Sequence, residues 1–301
     1  MNLNQLKYFI AAAENRSFTK AATQFYISQT AVTQQIKALE EVLGVPLFDR
    51  TMRPIALTPE GQTFLLEAKK ILNEINHAVS MVQEVSVGLT GNLKIGYVKG
   101  YEFGKLASII KQFKEHFPNI FVSYYRCDTD TLATGLVNGE YDLIFTWDSS
   151  ELSRDCCINN LTIEESRLNV VMCKEHPLAK KQSIRRLDLK DENILYMTHS
   201  KDGNSIGDRR FKDLYYKSGF KPNVLFNSND MESILMMISA GEGISIFPEY
   251  ISEKQNCLSN LVSVPLYGEN ESVEIKALWH TENNNPAFWK FIEHLKNLSF
   301  M

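Results

Sequence analysis

The sequence predicts an all-α N-terminal domain, a long helix and a C-terminal α/β domain, in that order. Apolar residues recur at helical spacing through residues 1–59, and an uninterrupted heptad pattern follows over residues 64–85. From residue 92, short apolar strands alternate with amphipathic helices. With 301 residues, 44% of them hydrophobic and 23% charged, the chain has enough apolar material for several globular cores.

Composition argues against several classes of protein. No run of about 18 apolar residues occurs, so no membrane span is predicted. The first residues lack the basic start, apolar stretch and cleavage site of a signal peptide, so we expect a cytoplasmic protein. The five cysteines fit no zinc spacing and indicate free thiols, although the adjacent Cys156 and Cys157 leave a redox role open. No metal or cofactor is predicted.

The net charge of −4 argues at first against a nucleic-acid partner. Residues 1–90 carry eight basic and eight acidic side chains, so the acidic excess lies entirely in residues 91–301. Any affinity for DNA therefore has to come from a few well-placed cations rather than from a general basic field.

Residues 1–59 are predicted to form three helices and a hairpin. Ser17 is a suitable N-cap for the second helix, and Ser28 for the third, after the tight turn "YIS". The small pair Ala21–Ala22 lets the second and third helices approach closely, as a helix-turn-helix requires. After Gly44, "VPLFDRTMRPIALTPEG" contains two short extended pieces around a charged tip. The pattern indicates a winged helix-turn-helix.

The third helix has an unusual outer face. Its buried stripe includes Val32, Ile36 and Leu39, whereas the opposite stripe carries hydroxyls and amides instead of the usual Glu and Lys. In a helix-turn-helix this face enters the major groove, where amides and hydroxyls read bases and cations hold phosphates. The predicted DNA contacts are Ser28, Gln29, Thr30, Thr33 and Gln34, with Lys37, Arg50 and Arg53 on phosphate or in the minor groove. A chance Thr- and Gln-rich face is the alternative.

Residues 60–90 are predicted to form a linker helix without an interrupting proline. Its heptad seam consists of Phe64, Ala68, Ile71, Ile75, Ala78, Val82 and Val85. Such a seam favours a coiled coil that joins two chains into a homodimer. A helix buried within its own chain is the alternative.

Residues 91–301 alternate between predicted strands and helices. The predicted strands are residues 93–98, 120–125, 141–147, 167–173, 193–197, 223–227, 243–247, 261–266 and 272–280. The predicted helices are residues 103–116, 132–137, 209–217, 231–239 and 286–298. This alternation favours parallel sheets that bind ligands at the carboxyl ends of their strands.

A ligand site is expected where these strands end and the next helices begin. The candidates are Lys99, Gly100, Tyr101, Trp147, Asp148, Thr198, His199, Ser200, Asn227, Ser228, Asn229, Asp230 and Phe247. Helix N-termini favour anions, and Lys99 or His199 would reinforce that preference, so we expect a small organic anion. The alternative is that Tyr101, Trp147 and Phe247 are core residues and that His199 is an ordinary surface histidine.

The stretch "LKYFIAAAENRSFTKAATQFYISQTAVTQQIKALEEVLGVPLFDR", with "IALTPEG" after it, resembles the N-terminal domain of the LysR-type transcriptional regulators. Thr30 stands where many members have proline, and Thr33 where serine is common. Because both lie on the base-reading face, operator preference cannot be copied from a relative.

The C-terminal part carries the same resemblance. "CKEHPLA" and "AGEGISIFPEY" resemble the second lobe of the LysR effector-binding region, which is similar to two-lobed type 2 periplasmic-binding proteins. The resemblance implies a DNA-binding domain over residues 1–59, lobe I over residues 91–162 and 267–301, and lobe II over residues 163–266. The two connections between lobes are expected near residues 161–164 and 265–268. It also implies a homodimer or homotetramer on a dyad operator, a small-molecule inducer and contact with RNA polymerase.

Three other functions fit the sequence less well. An enzyme is not expected, because "GYVKGYEFGKL" lacks the Walker spacing and no HExxH or GxSxG motif occurs. A solute-binding transport protein would need an export signal and would have no use for the first 90 residues. Peroxide-sensing relatives use a cysteine pair in the stretch matching residues 198–210, which contains no cysteine here. Redox or ligand-independent control of the same fold remains the alternative.

Overall fold

The computed structural model describes residues 1–86, 91–147, 152, 156–198, 206–255 and 260–298. Two compact units divide the chain, Met1–Val87 and Gly88–Met301. No helix in the described residues is long and apolar enough to cross a bilayer.

The first unit contains the three helices, the hairpin and the long helix that the sequence predicts. Its elements are α1 (Leu3–Asn15), α2 (Phe18–Gln24), α3 (Gln29–Leu43), β1 (Phe48–Asp49), β2 (Ala56–Leu57) and α4 (Pro59–Ser86). β1 and β2 pair antiparallel and form the wing, residues 48–57. The winged helix-turn-helix is thereby confirmed.

Local hydrogen bonds explain where these helices begin. The hydroxyl of Ser17 accepts a hydrogen bond from the backbone N–H of Lys20, as the predicted cap should. Asn2 and Gln5 form a reciprocal capping box at the start of α1, which the sequence reading did not single out. α3 ends at Gly44, whose φ of 72° suits glycine.

The core of the first unit lies between α1, α3 and the wing. Phe9 is fully buried, with its ring 5.5 Å from that of Phe48 and 5.2 Å from that of Phe64. Ala21, on α2, is also fully buried, and so is Ile36 on α3. A small side chain at position 21 therefore lets α2 lie close to its neighbours.

The predicted seam of α4 is divided between two roles. Ala68 is fully buried and Phe64 is half-buried, and both contact the core of their own chain. In contrast, Ile71, Ile75 and Ala78 are exposed. Of the described seam side chains, those of Ile71, Ile75 and Ala78 are therefore available to a partner helix, whereas those of Val82 and Val85 lie outside the described part.

The second unit is α/β, as predicted. Its strands are β3 (Gly91–Val98), β4 (Ile120–Cys127), β5 (Leu143–Thr146), β6 (Ile158–Cys173), β7 (Asn193–Met197), β8 (Asn223–Ser228), β9 (Ser245–Pro248), β10 (Leu261–Pro265) and β11 (Ser272–His280). Its helices are α5 (Leu106–His116), α6 (Thr129–Val137), α7 (Ile206–Lys217), α8 (Met231–Ser239), α9 (Glu249–Gln255) and α10 (Pro286–Leu298).

The expectation of parallel sheets holds for only some of the described strands. The main sheet has the order β10-β6-β11-β5-β3-β4, with β9 also on β6. Only β4 and β5 pair parallel with β3, and β7 with β8, whereas β6, β9, β10 and β11 form antiparallel pairs. Two neighbouring strands run parallel only where a crossover connection returns the chain to the same end of the sheet. β6 and β11 run in opposite directions and therefore pair antiparallel.

Several element boundaries also differ from prediction, and one helix was not predicted at all. The helix expected from Phe103 begins at Leu106, because residues 101–103 form a separate 3-10 turn. The first half of β6 and the short α9 were not predicted. The polar, weakly alternating sequence "INNLTIEES" explains the first omission, because it forms a strand only through its pairing with β11.

β6 passes from one sheet partner to another. Residues 158–167 pair with β11, and residues 168–173 with β9 and β10. A bulge lies within the predicted crossing, since Ile275 pairs with Glu164 but Lys276 with Thr162. One apolar core contains Phe113, Phe145 and Phe291, and two further clusters lie on either side of β7. The division into lobes I and II stays a prediction, which this change of partner supports.

Candidate DNA-binding surface and effector cleft

The outer face of α3 is polar and accessible. Gln29, Thr30, Gln34 and Lys37 are exposed, and Thr33 is half-buried. The buried stripe of the same helix faces the core. The structure therefore brings these predicted DNA contacts together on one surface, here called the recognition face (residues 29, 30, 33, 34 and 37).

Two predicted contacts at the start of α3 already have intramolecular partners. The Ser28 hydroxyl accepts a hydrogen bond from the backbone N–H of Ala31 at 3.1 Å, so it caps the helix. The Thr19 hydroxyl, on α2, donates to the side-chain oxygen of Gln29 at 3.2 Å. A two-point contact with adenine uses that oxygen as well, so Gln29 would have to release Thr19 first.

The wing is attached to α3 through Glu40, which is not among the predicted site residues. One carboxylate oxygen of Glu40 accepts hydrogen bonds from the backbone N–H groups of Leu47 (2.9 Å) and Phe48 (3.3 Å). The other oxygen pairs with the Arg50 guanidinium at 2.7 Å. The side chain of Glu40 is only 14% exposed and that of Arg50 34%. Arg50 therefore positions the wing, although part of its guanidinium still faces solvent.

Arg53 and Lys37 differ from Arg50 in having no ion-pair partner. Both side chains are exposed, and neither pairs with any acid in the described part of the chain. Their charges are therefore available for phosphate groups.

In the second unit, Lys99 joins segments from both halves of the predicted effector region. Its ammonium lies 2.9 Å from the Asp128 carboxylate, next to the start of α6, and donates to the backbone oxygen of Asn229 at 3.3 Å. The side-chain amide of Asn229 donates to Asp128 at 3.4 Å. Lys99 and Asp128 are 22% and 9% exposed, so this pair is partly shielded from water. Asp128 thus occupies the position beside Lys99 that was predicted for a ligand anion.

Gly100 and Tyr101 have structural roles next to this pair. Gly100 has φ of 95°, and a Cβ there would lie 2.6 Å from the Ile251 Cδ1. Tyr101 is fully buried, and its ring contacts those of Phe145 and Tyr250. Burial raises the pKa of the Tyr101 hydroxyl far above its ordinary value. Tyr101 is therefore a neutral core residue, in agreement with the alternative reading.

The segment Asn227–Asp230 lies at the start of α8. Asp230 accepts a hydrogen bond from the backbone N–H of Ser233 at 3.1 Å and caps the helix. Hydrogen bonds from the Ser233 side chain and backbone lower the pKa of Asp230, so the carboxylate is charged at neutral pH. Thr198, at the end of β7, donates its N–H to the Ser228 oxygen at 2.9 Å. The protein's own carboxylate therefore occupies this helix N-terminus.

The remaining predicted effector residues are divided. Trp147 and Phe247 line a cavity that contains neither Lys99 nor Asp128 in its wall. Asp148, His199 and Ser200 lie outside the described residues. Cys156 and Cys157 are exposed and form no disulfide, and their sulfur atoms lie 3.9 Å apart. Among the described side chains, no group of three or more His, Cys, Asp or Glu could hold a metal ion.

Both parts of the chain match family models. Residues 3–62 match the bacterial regulatory helix-turn-helix protein, lysR family, and residues 86–299 match the LysR substrate binding domain. The regulator BenM of Acinetobacter baylyi is 33% identical over 268 residues, which cover 88% of this chain and 86% of BenM. AlsR of Bacillus subtilis is 30% identical over 301 residues, which cover 99% of this chain and 96% of AlsR.

Solved structures of LysR-type regulators are similar to this chain. Full-length CbnR in complex with its target DNA matches with a TM-score of 0.70 at 25% identity, covering 99% of this chain and all of CbnR (100%). Full-length BenM matches with a TM-score of 0.60 at 28% identity, covering 100% of this chain and 97% of that structure. These relatives are transcriptional regulators rather than enzymes. The chain belongs to the LysR family of bacterial helix-turn-helix transcriptional regulators.

Proposed function

We propose that this regulator reads its operator through the recognition face, and the exposed hydroxyls and amides on α3 carry the proposal. Gln29, Thr30, Thr33 and Gln34 approach base edges in the major groove, since their side chains offer both donors and acceptors. Lys37 and Arg53 hold phosphates, and Arg50 adds the part of its guanidinium that Glu40 leaves in solvent.

The operator is a dyad because the protein acts as a homodimer, which pairs further into a tetramer. Exposed Ile71, Ile75 and Ala78 on α4 supply the apolar contact between two chains. A symmetric pair of recognition helices then meets two half-sites related by the same symmetry. Its action lies in the cytoplasm, where the DNA is, and involves RNA polymerase at the promoter.

The effector is a small organic anion that competes with Asp128 for Lys99. Lys99 touches Asp128 and Asn229 at once, so a ligand that replaces either contact changes the balance between conformations of this region. The oligomer has two assembly states, which hold their recognition helices at different spacings. A ligand that favours one conformation of this region favours one of these states and thereby changes the affinity for DNA.

The test is fluorescence anisotropy of labelled duplex DNA from the region upstream of the protein's own gene. Full-length protein is titrated at fixed salt against this duplex and a scrambled duplex of equal length, and then again with small carboxylates. We expect tighter binding to the upstream DNA, with an affinity that one carboxylate shifts. Equal binding to both duplexes would contradict base reading at this site. Absence of a shift with every carboxylate would contradict the anionic effector.

Redox control is not favoured as the input. Relatives include the E. coli dual regulator OxyR, 26% identical over 88% of this chain and 85% of OxyR. This chain, however, has no cysteine within residues 198–210. An effector site beside Lys99 is therefore the better supported input.

A further inference from the structure

A cavity of about 130 Å³ lies inside the second unit, beneath α7. β7 and β9 approach each other through a bridge between Ile194 and Ile244. Beyond it, β7 pairs with β8, whereas β9 pairs with β6. The two strands therefore have different partners toward their carboxyl ends, and the cavity lies between them.

The walls of this cavity are mostly apolar but contain a buried cation. Leu168, Phe211, Leu214 and Val273 contribute apolar surface, and Arg186 also lines the cavity with a side chain only 4% exposed. The exposed side chains of Arg210 and Asn270 form another part of the wall, so the cavity reaches the surface.

Arg186 is held in place and still has hydrogen-bonding capacity. Its Nε and Nη2 donate to the Glu271 carboxylate at 2.9 and 2.5 Å. The guanidinium carbon lies 4.6 Å from the centre of the Tyr215 ring. Nη1 is buried without a hydrogen bond of good geometry to a described residue, and the guanidinium lies near the Tyr215 hydroxyl, which is also buried. A buried donor without a well-placed partner destabilises the folded protein, so this atom favours an acceptor from outside the protein.

The buried Arg186–Glu271 ion pair also favours a role in ligand recognition. Apolar residues of similar volume would stabilise this wall as well as a buried Arg–Glu pair does, and often better. Arg186 and Arg210 are the charged residues among the described residues that line the cavity. Glu271, which pairs with Arg186, and the buried Asp208, which accepts a hydrogen bond from Tyr196, contact wall residues without lining the cavity. A monocarboxylate can accept charge-assisted hydrogen bonds from these arginines, while the apolar wall suits a branched or aromatic body.

We propose that this cavity is a second ligand site, which binds a small monocarboxylate with an apolar body through Arg186. Its volume is close to the roughly 150 Å³ of an apolar cavity that accepts benzene, so the ligand has about seven non-hydrogen atoms. The site is separate from the one proposed beside Lys99, because Lys99, Asp128 and Asn229 do not line it.

Isothermal titration calorimetry of the full-length protein with isovalerate and with its neutral amide, isovaleramide, tests the proposal. We expect isovalerate to bind and isovaleramide to bind about tenfold more weakly, since only the acid gains a charge-assisted bond. Leu214→Phe, which fills the cavity, should abolish isovalerate binding. Leu187→Phe is the matched control, because Leu187 follows Arg186 but is 60% exposed and does not line the cavity.

Two further variants test the contribution of the Arg186 charge and distinguish this cavity from the site beside Lys99. Replacing Arg186 alone would leave the Glu271 carboxylate buried without its partner, so the double variant Arg186→Met/Glu271→Leu is used. Circular dichroism checks that the double variant folds. The folded double variant should bind isovalerate and isovaleramide with equal affinity. If the double variant does not fold, the proposal is still tested by Leu214→Phe and by comparing isovalerate with isovaleramide on the wild-type protein. Lys99→Met should leave isovalerate binding unchanged.

Three outcomes would overturn the proposal. The first is no isovalerate binding by folded wild-type protein at millimolar concentrations, and the second is equal affinity for acid and amide. The third is binding that Lys99→Met removes and Leu214→Phe retains, which would place the carboxylate beside Lys99. The assay contains no DNA, so a failure of operator recognition would not alter its result.

Discussion

The guanidinium of Arg50 lies 2.7 Å from the carboxylate of Glu40 and thereby ties the wing to α3. Glu40 also accepts the backbone N–H groups of Leu47 and Phe48, so a single side chain satisfies three donors. The orientation of the wing relative to the recognition face therefore depends on one carboxylate.

Removing this carboxylate should loosen the wing. We expect Glu40→Ala to speed amide hydrogen exchange of Leu47 and Phe48, because both N–H groups lose their acceptor, and to cost about 1–3 kcal/mol of unfolding free energy. Glu41→Ala is the control, since Glu41 is exposed on the same helix. Hydrogen-exchange mass spectrometry measures the difference. Equal exchange in both variants would show that Glu40 does not hold the wing.

Gln34 should contribute to sequence preference. Gln34→Ala is expected to cost about 1–3 kcal/mol at the operator and to relax preference at one base pair, because an amide pair to a base edge is lost. Gln35→Ala, next to it and half-buried, is the comparison variant. Competition binding with single-base operator variants measures the preference. A similar loss on scrambled DNA would argue that Gln34 does not read a base.

Replacing Arg53 should instead weaken binding to every DNA sequence by a similar factor. Arg53→Ala removes a cation that has no ion-pair partner among the described residues, so operator and scrambled DNA should both bind more weakly. The slope of log affinity against log salt should fall by about one. Arg50→Ala should additionally speed exchange in the wing, because Arg50 pairs with Glu40. An unchanged slope in Arg53→Ala would exclude a phosphate contact.

Asp128 and Lys99 should have opposite effects on effector affinity. Asp128→Asn removes the carboxylate that competes for Lys99, so the carboxylate that most shifts DNA binding should bind about tenfold more tightly. Lys99→Met should abolish that response while leaving operator affinity without effector unchanged. Calorimetry and anisotropy provide the two readouts. Weaker effector binding by Asp128→Asn would mean that Asp128 contacts the ligand instead of competing with it.

Gly100 should be intolerant of a side chain for two reasons. Its φ of 95° strains any L-residue, and a Cβ would lie 2.6 Å from Ile251. Gly219 has φ of 90° with no atom within 4 Å of a Cβ, so Gly219→Ala incurs the strain alone. Gly100→Ala should therefore lose about 1–3 kcal/mol more than Gly219→Ala. All three tryptophans belong to the second unit, so denaturant unfolding followed by tryptophan fluorescence reports on it. Equal losses would mean that Ile251 moves aside freely.

Much of the recognition face could be predicted from local sequence. Ser17 and Ser28 cap helices because their hydroxyls reach N–H groups three residues away, a relation that depends only on nearby chain. The exposed positions of Thr30 and Gln34 follow from the helical period in the same way. The role of Glu40 could not be read like this, since its partners lie seven to ten residues further along, across a turn.

The sequence by itself determined the order of domains, most helices and strands, the recognition face and the family, because periodicity, caps and motif spacing are local properties of the chain. Tertiary structure decided which charges meet. Lys99 and Asp128 are neighbours because β3 and β4 run parallel and place their carboxyl ends side by side. Arg186 and Glu271 are 85 residues apart in the chain and meet only in the folded unit. Burial and pairing over such distances depend on packing, which no local pattern encodes.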